Sequence, residues 1–509
     1  MTRENNLNLS HTLHSMIKID GSSLSIKEIA SIAAGTENVE LSENARMNVQ
    51  RSRRDLEKHM AEGKTMYGIN TGFGALMNVK IEKKDLLKLQ ENLIRSHSAG
   101  SGEPLDERYV RAMMIVRANS LSKGYSGVTE DLIDTLISAL NRHVTPIVPK
   151  YGSVGASGDL APLAHVALCL MGESEVYFEG RKMKSIDALN LAGIKKHIFL
   201  EKEGVAFING TSAISGILAV AIHDARRLMA QSTAAASISL QALRGTTKAF
   251  TEWVVKTRNH KGQAKVSSMM RNLLSGYSDN TNRVQDAYSI RCIPQVHGAV
   301  LDTLDYCSSV LEREVNSVTD NPILNGEEVI SAGNFHGEPV ALASDFLSIA
   351  LTDLGNIAER RIFRLTDSNL SGLPPFLTEK SGLNSGMMIA QYTAASLCNM
   401  NKVLAHPASS DTIPTSANQE DHVSMGMNSA LKLTEIIKNL ETIVSIEFLA
   451  AAQAADLSGI DLSKQTKRIL ESIRKSIKHL DDDREQHTDI VKMQGLMRSE
   501  EFNSLMPEL

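Results

Sequence analysis

The stretch with the most chemical content is Tyr151–His165, YGSVGASGDLAPLAH, centred on Ala156-Ser157-Gly158 and followed by Asp159. Most small-residue loops are turns, and Gly152, Gly155 and Gly158 permit backbone conformations that a Cβ forbids. Phosphate chemistry does not fit. A Walker loop ends in Gly-Lys-Ser/Thr, whereas Gly158 is followed by Asp159 and Leu160, and an anionic Asp there repels phosphate. These glycines fall every third residue, so the dinucleotide pattern G-x-G-x-x-G is missing. The nucleophile elbow G-x-S-x-G fails by one place. Another chemistry remains. The Gly158 amide nitrogen can close onto the carbonyl carbon of Ala156, forming a five-membered ring. Loss of water from the ring and from the Ser157 side chain then leaves an exocyclic methylidene, an electrophile made from the chain itself. Ordinary side chains are not electrophiles, so attack on an electron-rich substrate needs a cofactor, a metal or a device of this kind. Ala-Ser-Gly alone is a common tripeptide and a weak signal.

Other polar clusters are ambiguous one by one. Tyr67 heads the Gly-rich loop MYGINTGFGALM, and a Tyr beside glycines is often only a turn residue. His97 closes the amphipathic helix in DLLKLQENLIRSHSAG, where a lone His is most often a dipole partner. Asn209 in FINGTSA stands in a turn or cap before a long helix, with Thr211 or Ser212 as alternative caps. In QDAYSIRC, Gln285, Tyr288 and Arg291 are spaced i, i+3, i+6, roughly one face if helical. A Tyr one turn from an Arg is a candidate base with a depressed pKa, and Arg makes bidentate contact with a carboxylate; alone, the pair reads as a surface contact. AGNFHGEP carries Phe335, His336 and Glu338. TSANQEDHVSM places Glu420 and His422 in the first turn of the longest helix, with Asn418 as its cap.

The elements that position these residues are mostly helices. LSENARMNVQRSRRDLEKHMAEG reads as a helix capped by Ser42, and LAPLAHVALCLMG as an apolar helix with Pro162 near its start. EVYFEGRKMKS reads as a hairpin turning at Glu179-Gly180, and TLHSMIKID as a short strand. Long helices are expected over AISGILAVAIHDARRLMAQSTAAASISLQALRG, IPQVHGAVLDTLDYCSSVLEREVNSVTDNP (ending near Asp320-Asn321-Pro322), NFHGEPVALASDFLSIALTDLGNIAERRIFRL and GLNSGMMIAQYTAASLCNMNKVLA. In the last and longest, Val423, Met427, Ala430, Leu433, Ile437, Leu440, Val444 and Phe448 form one helical stripe. The fold class expected is mainly α, a long-helix bundle with a smaller mixed N-terminal region. Three regions are expected: 1–200 with the Ala156-Ser157-Gly158 loop, 201–455 as the central bundle, and 456–509 as peripheral helices.

Bulk properties agree. The 509 residues are 42% hydrophobic and 22% charged, with only 4% aromatic, so the core must be aliphatic, Ala and Met. Fifty-four basic and 59 acidic residues give a net charge of -5, which offers no nucleic-acid surface. Apolar runs such as AISGILAVAI are too short to span a bilayer, and the polar start MTRENNLNLSHTLHS lacks the apolar core of a signal peptide. Cysteines 169, 292, 307 and 398 form no C-x-x-C pair, so buried thiols in the cytoplasm are expected. No local metal-ligand spacing stands out, and no metal is expected. The apolar stripes are wider than one bundle needs, which implies burial against further copies of the chain.

Taken in order, YGINTGFG, SHSAGSGEPLD, GSVGASGDLAPLAH, INGT, QDAYSIRCIPQVHGA, NSVTDNP, GNFHGEPVA, SGLNSGMMIAQ and TSANQEDHVSM resemble the aromatic amino acid ammonia-lyases, and among them those acting on histidine. The resemblance covers roughly residues 40 to 455. It implies a fumarase/aspartase-like architecture and a methylidene-imidazolone (MIO) group formed autocatalytically from Ala156, Ser157 and Gly158, with Asp159 assisting and no external cofactor. It also implies that Asn209 bonds near the MIO and the substrate amino group. Gln285, Tyr288 and Phe335 would line the MIO, and Arg291 would bind the substrate carboxylate. Tyr67 would be a catalytic acid or base, the choice between Tyr67 and Tyr288 staying open. His97 and Glu420 would hold an imidazole ring, and Glu420 would also be a catalytic residue. The implied partners are L-histidine and other copies of the chain, in a homotetramer with sites shared between chains; neither nucleic acid nor a membrane is expected. The implied reaction takes L-histidine to trans-urocanate and ammonia. Relatives acting on phenylalanine or tyrosine tend to put Leu where this chain has His97, and an apolar Leu suits a benzene ring. Two alternatives stand: a tyrosine or phenylalanine ammonia-lyase or aminomutase of the same family, and a helical lyase or scaffold in which Ser157 stays unmodified.

Overall fold

The structure is a computed structural model that describes residues 16–66, 68–72, 79, 81–279, 281 and 283–509. It is dominated by helices, and the described strands form four small sheets of two or three strands each. Two compact units emerge. The first comprises residues 1–220, 312–337 and 412–424; the second comprises 221–311, 338–411 and 425–509.

The first unit packs short helices around Glu107–Ser122, whose residues from Val110 onward are all buried. Ile26–Ala34, Glu43–Ala61 and Glu130–Asn141 pack on it, and Leu86–His97, Leu160–Leu170 and Glu203–Ile208 pack against one another. Local sequence explains the starts. Ser42 caps Glu43–Ala61 through its side chain, and Ser25 with Glu28 forms a complete capping box for Ile26–Ala34. The Glu175–Phe178 and Arg181–Lys184 strands pair as the expected hairpin, with Glu179 and Gly180 both at positive φ, as a tight primed turn requires. Met16–Ile19 is a strand paired in parallel with Asn38–Leu41.

The second unit is built on long helices. Glu338–Thr366, Met388–Leu404 and Gly426–Ser458 pack together, and Gln486–Arg498 lies on the last of them. The Ser212–Ala242 helix runs 31 residues, and its part from Ala221 onward belongs to this unit. By length and apolar character Glu338–Thr366 could cross a membrane, longer than the runs read from sequence. It is a core helix instead: Asp345, Glu359 and Arg361 lie buried along it. Arg361 donates from Nε and Nη2 to the two oxygens of Glu447, at 2.5 and 2.8 Å, with both side chains fully buried.

Three helix boundaries differ from expectation for identifiable reasons. The helix expected to reach Asp320 ends at Val315. Its final carbonyls are taken by side chains: Asn316 Nδ2 donates to Glu312 O, Ser317 Oγ to Arg313 O, and Asn119 Nδ2 to Val315 O. Met388–Leu404 starts late because the Ser385 and Gly386 amides donate to the Asp483 carboxylate. The longest helix starts at Gly426, so Asn418 is not its cap and Glu420 and His422 are not in its first turn. Thr415 and Glu420 exchange backbone hydrogen bonds, and Ser416, Ala417, Asn418 and Met425 all have positive φ, which commits this segment to a looped turn.

Candidate active site

The Ala156-Ser157-Gly158 loop is held from several sides within the first unit. Ser153 Oγ donates to Asp159 Oδ1 at 2.9 Å and accepts from the Gly155 amide at 3.1 Å. Asp159 Oδ2 accepts from the Ala213 and Ile214 amides, each at 2.9 Å, at the N-terminus of the Ser212–Ala242 helix. Asp159 is fully buried, and that burial pushes its carboxyl up to about 6 although the amide and hydroxyl donors pull the other way. The Gly155 carbonyl accepts from Ser424 Oγ and the Gly337 amide.

Behind the loop two glycines touch. Gly158, at φ +74°, forms an isolated parallel bridge with Gly210, at φ +152°, and the Asp159 amide donates to Gly210 O at 2.8 Å. A Cβ on Gly158 would fall within 3.0 Å of the Gly210 backbone, and a Cβ on Gly210 would strike Arg117 and Thr319. The neighbouring Asn209 is buried, and its Oδ1 has no hydrogen-bond partner. An orphaned buried oxygen of this kind asks for a donor that is not part of the chain.

In front of the loop lies a cavity of about 520 Å³, lined by Ala156, Ser157, Asn321, Phe335, His336, Glu420 and their neighbours. Ser157 Oγ donates to Glu420 Oε1 at 2.5 Å, and the Thr415 hydroxyl donates to Glu420 Oε2. The His336 and His422 rings stack at 5.6 Å, almost parallel. His97 ends the Leu86–His97 helix, as expected. Its Nδ1 lies 2.9 Å from Leu93 O and 3.0 Å from Ser96 Oγ. A carbonyl can only accept, so Nδ1 carries the proton and Nε2 is left as an acceptor. Burial lowers the His97 pKa, while the charge of Glu420 pulls it upward.

The remaining expected site residues fall elsewhere. Tyr67 lies outside the described residues. Gln285, Tyr288 and Arg291 belong to the second unit and do gather, though not on one helix face, because the helix covers only Tyr288–Arg291. Arg291 Nη1 donates to Gln285 Oε1 at 2.7 Å, and its guanidinium stacks 4.7 Å from the centre of the Tyr288 ring. Arg291 Nε is buried without a partner, and Tyr288 is 71% exposed. Sequence reasoning missed Thr415, Ser153, Ser424 and Arg117. Thr415 and Ser424 lie within the TSANQEDHVSM stretch and Ser153 within GSVGASGDLAPLAH, but a lone hydroxyl residue carries no signal of what it will bond.

The aromatic amino acid lyase family matches residues 24–475. The chain belongs to that family. A protein of Thermoplasma acidophilum named probable histidine ammonia-lyase is 55% identical over 497 residues, covering 97% of this chain and all of that one. The crystal structure of histidine ammonia-lyase from Trypanosoma cruzi superposes with a TM-score of 0.91 at 39% identity, over 96% of this chain and 94% of that one. Tyrosine aminomutase from Streptomyces globisporus has a TM-score of 0.92 at 36% identity, over 96% and 98%.

Proposed function

We propose that this chain is an ammonia-lyase that converts L-histidine to trans-urocanate and ammonia. The observation that carries the proposal is the pairing of Ser157 with Glu420 in one cavity. The residues fit an MIO group: Gly158 is free of a Cβ where none could stand, and Ser157 presents its side chain to the cavity. Once formed, that group would supply an electrophilic carbon, at the position of the Ser157 Cβ, to take up an electron pair from the substrate. Loss of the Ser157 hydroxyl as water would free Glu420 Oε1 to face the substrate. Asn209 Oδ1 would accept from the substrate ammonium. His97 Nε2 would accept the N–H of the imidazole, and Glu420 would serve the other side of the ring. Removal of the β-proton falls to Tyr67 or Tyr288, and Glu420 would also take up a proton during turnover.

Gln285 and Tyr288 are exposed on the second unit, with Arg291 half-buried beside them. In a homotetramer with shared sites such a cluster would complete the cavity of a neighbouring copy and bind the substrate carboxylate. An apolar groove of about 870 Å³ on the second unit, lined by Val296, Val300, Tyr306, Phe346 and Ile349, supports burial against further copies. The four cysteines are unpaired thiols, which suits the cytoplasm.

The family also includes an aminomutase acting on tyrosine, whose fold matches equally well. The polar His97–Glu420 pair favours an imidazole over a phenol or benzene ring. Absorbance assays with histidine, tyrosine and phenylalanine in parallel test this. Urocanate from histidine is expected, with almost no coumarate or cinnamate; faster turnover of tyrosine or phenylalanine overturns the assignment.

A further inference from the structure

Behind the loop the first unit buries a cluster of charges that the proposed chemistry does not use. Lys202 Nζ and Asp320 Oδ2 pair at 2.6 Å with both side chains fully buried, and the Thr211 hydroxyl donates to Glu314. Arg117 is fully buried as well, yet it makes no hydrogen bond to a carboxylate. Nη2 donates to Ala206 O, Nη1 reaches Thr319 Oγ1 at 3.4 Å, and Nε has no partner. Burial pushes the Arg117 pKa down to about 10, although the charges of Asp320 and Asp159 pull it up.

The position of Arg117 explains its use. Ala206 lies in the Glu203–Ile208 helix, whose C-cap is Asn209, and Gly210 follows directly. The guanidinium occupies the place where a Gly210 Cβ would stand. Gly210 also meets Gly158, the residue whose nitrogen must approach Ala156. Arg117 and Gly158 therefore both pack directly on Gly210, with no side chain between the two glycine backbones to absorb movement.

We propose that Arg117 is a positioning residue for self-processing of the loop: by gripping Ala206 and backing Gly210, it holds the wall that presses Gly158 toward Ala156. The inference rests on the electrophile proposed above. The steps it promotes are balanced within the chain. The Gly158 nitrogen bonds to the Ala156 carbonyl carbon, and its proton passes to the oxygen as the carbonyl π pair moves there. That hydroxyl leaves with the Ser157 N–H proton as one water, making the C=N bond. The Ser157 hydroxyl leaves with the Cα proton as a second, making the methylidene. Ala206, which Arg117 grips, lies in the helix that Asn209 ends.

Intact mass of the full-length chain, followed after synthesis is stopped, tests this. Three variants are compared with the wild type: Arg117→Met, Arg117→Lys, and Ile137→Ala as a control that loosens the Glu130–Asn141 helix of the same unit away from the loop. The wild type is expected two waters lighter than its sequence. Arg117→Met should process more slowly by on the order of a hundredfold, as a misplaced reacting group does. Arg117→Lys, which keeps the charge but not the fork, should fall between, and Ile137→Ala should process fully although its melting temperature drops. Processing of Arg117→Met at the wild-type rate overturns the inference, as does equal impairment in the Ile137→Ala control. Should Arg117→Met fail to fold, the comparison of Arg117→Lys with Ile137→Ala decides by the same criterion. A wild-type chain at its unprocessed mass would instead overturn the electrophile itself, and this inference with it.

Discussion

The Ser157 hydroxyl and the Glu420 carboxylate, 263 positions apart in sequence, meet across 2.5 Å. On the proposed processing, Glu420 would accept from the hydroxyl that leaves, and the same oxygen would then face the substrate. The two duties make different demands on the side chain. A Gln can still accept from Ser157 Oγ, but it cannot take up a proton. Glu420→Gln should therefore leave the chain two waters lighter while lowering kcat by about two to four orders of magnitude, with a much smaller rise in KM. Intact mass and steady-state kinetics on one preparation check both halves. A change in KM alone would reduce Glu420 to a binding group.

Ser157→Ala removes the oxygen that must leave as the second water. The ring can still close, so the mass should fall by at most one water, and no methylidene forms. Activity should drop by several orders of magnitude. Borohydride, which adds to an electron-poor double bond, should inactivate the wild type and leave the residual activity of Ser157→Ala untouched. Wild-type turnover by Ser157→Ala would remove the basis of the proposed electrophile.

The loop and the helices were legible because each carries a local signal. Ala156-Ser157-Gly158 sits in a long specific string, and the apolar stripes of Ser212–Ala242 and Gly426–Ser458 repeat with helical period. The setting of Glu420 was not legible as helix start versus loop. Residues 415–425 look like a capped helix N-terminus, but the Thr415–Glu420 bridge claims their backbone groups first. The support behind the loop was hidden for a different reason. Arg117 lies on a helix whose moment is blurred by burial all round, and nothing in the residues near position 117 reveals that Gly210 will rest on it. Such contacts are set by tertiary packing between segments about ninety residues apart in sequence.

A fully buried ion pair lies inside the bundle of the second unit. Glu447 accepts from Arg361 twice and from Ser239 Oγ at 3.1 Å, all out of water. Glu447→Gln keeps the shape but leaves the guanidinium uncompensated, which costs about 3–5 kcal/mol. The melting temperature and the urea midpoint should both fall clearly. Replacing both partners, Arg361→Met with Glu447→Leu, should recover much of the loss, since removing a buried pair together avoids the lone charge.

His97 carries the most specific expectation about substrate and pH together. Its Nδ1 proton is committed to Leu93 O, so Nε2 can accept an imidazole N–H only while the ring is neutral. Burial holds its pKa below the usual 6.5, with Glu420 opposing. A depressed folded pKa means that the neutral form, and the stability it contributes, is fully present above about pH 6.5 and is lost as pH falls through the lower folded value. Histidine turnover by the wild type should therefore decline on the acid side through rising KM. The substrate ring titrates in the same range, so the comparison that isolates His97 is His97→Gln, which keeps a polar acceptor that does not titrate. Its KM should depend less steeply on pH. His97→Leu removes the acceptor altogether and adds apolar surface, so histidine should lose more than tyrosine or phenylalanine gains. A site built to hydrogen-bond a substrate group rejects analogues lacking it by roughly four to five orders of magnitude in favourable cases, and much of that preference should vanish with the His97 ring. If His97→Leu kept the wild-type preference for histidine, ring recognition would rest on Glu420 and the rest of the cavity, and His97 would be no more than the end of its helix.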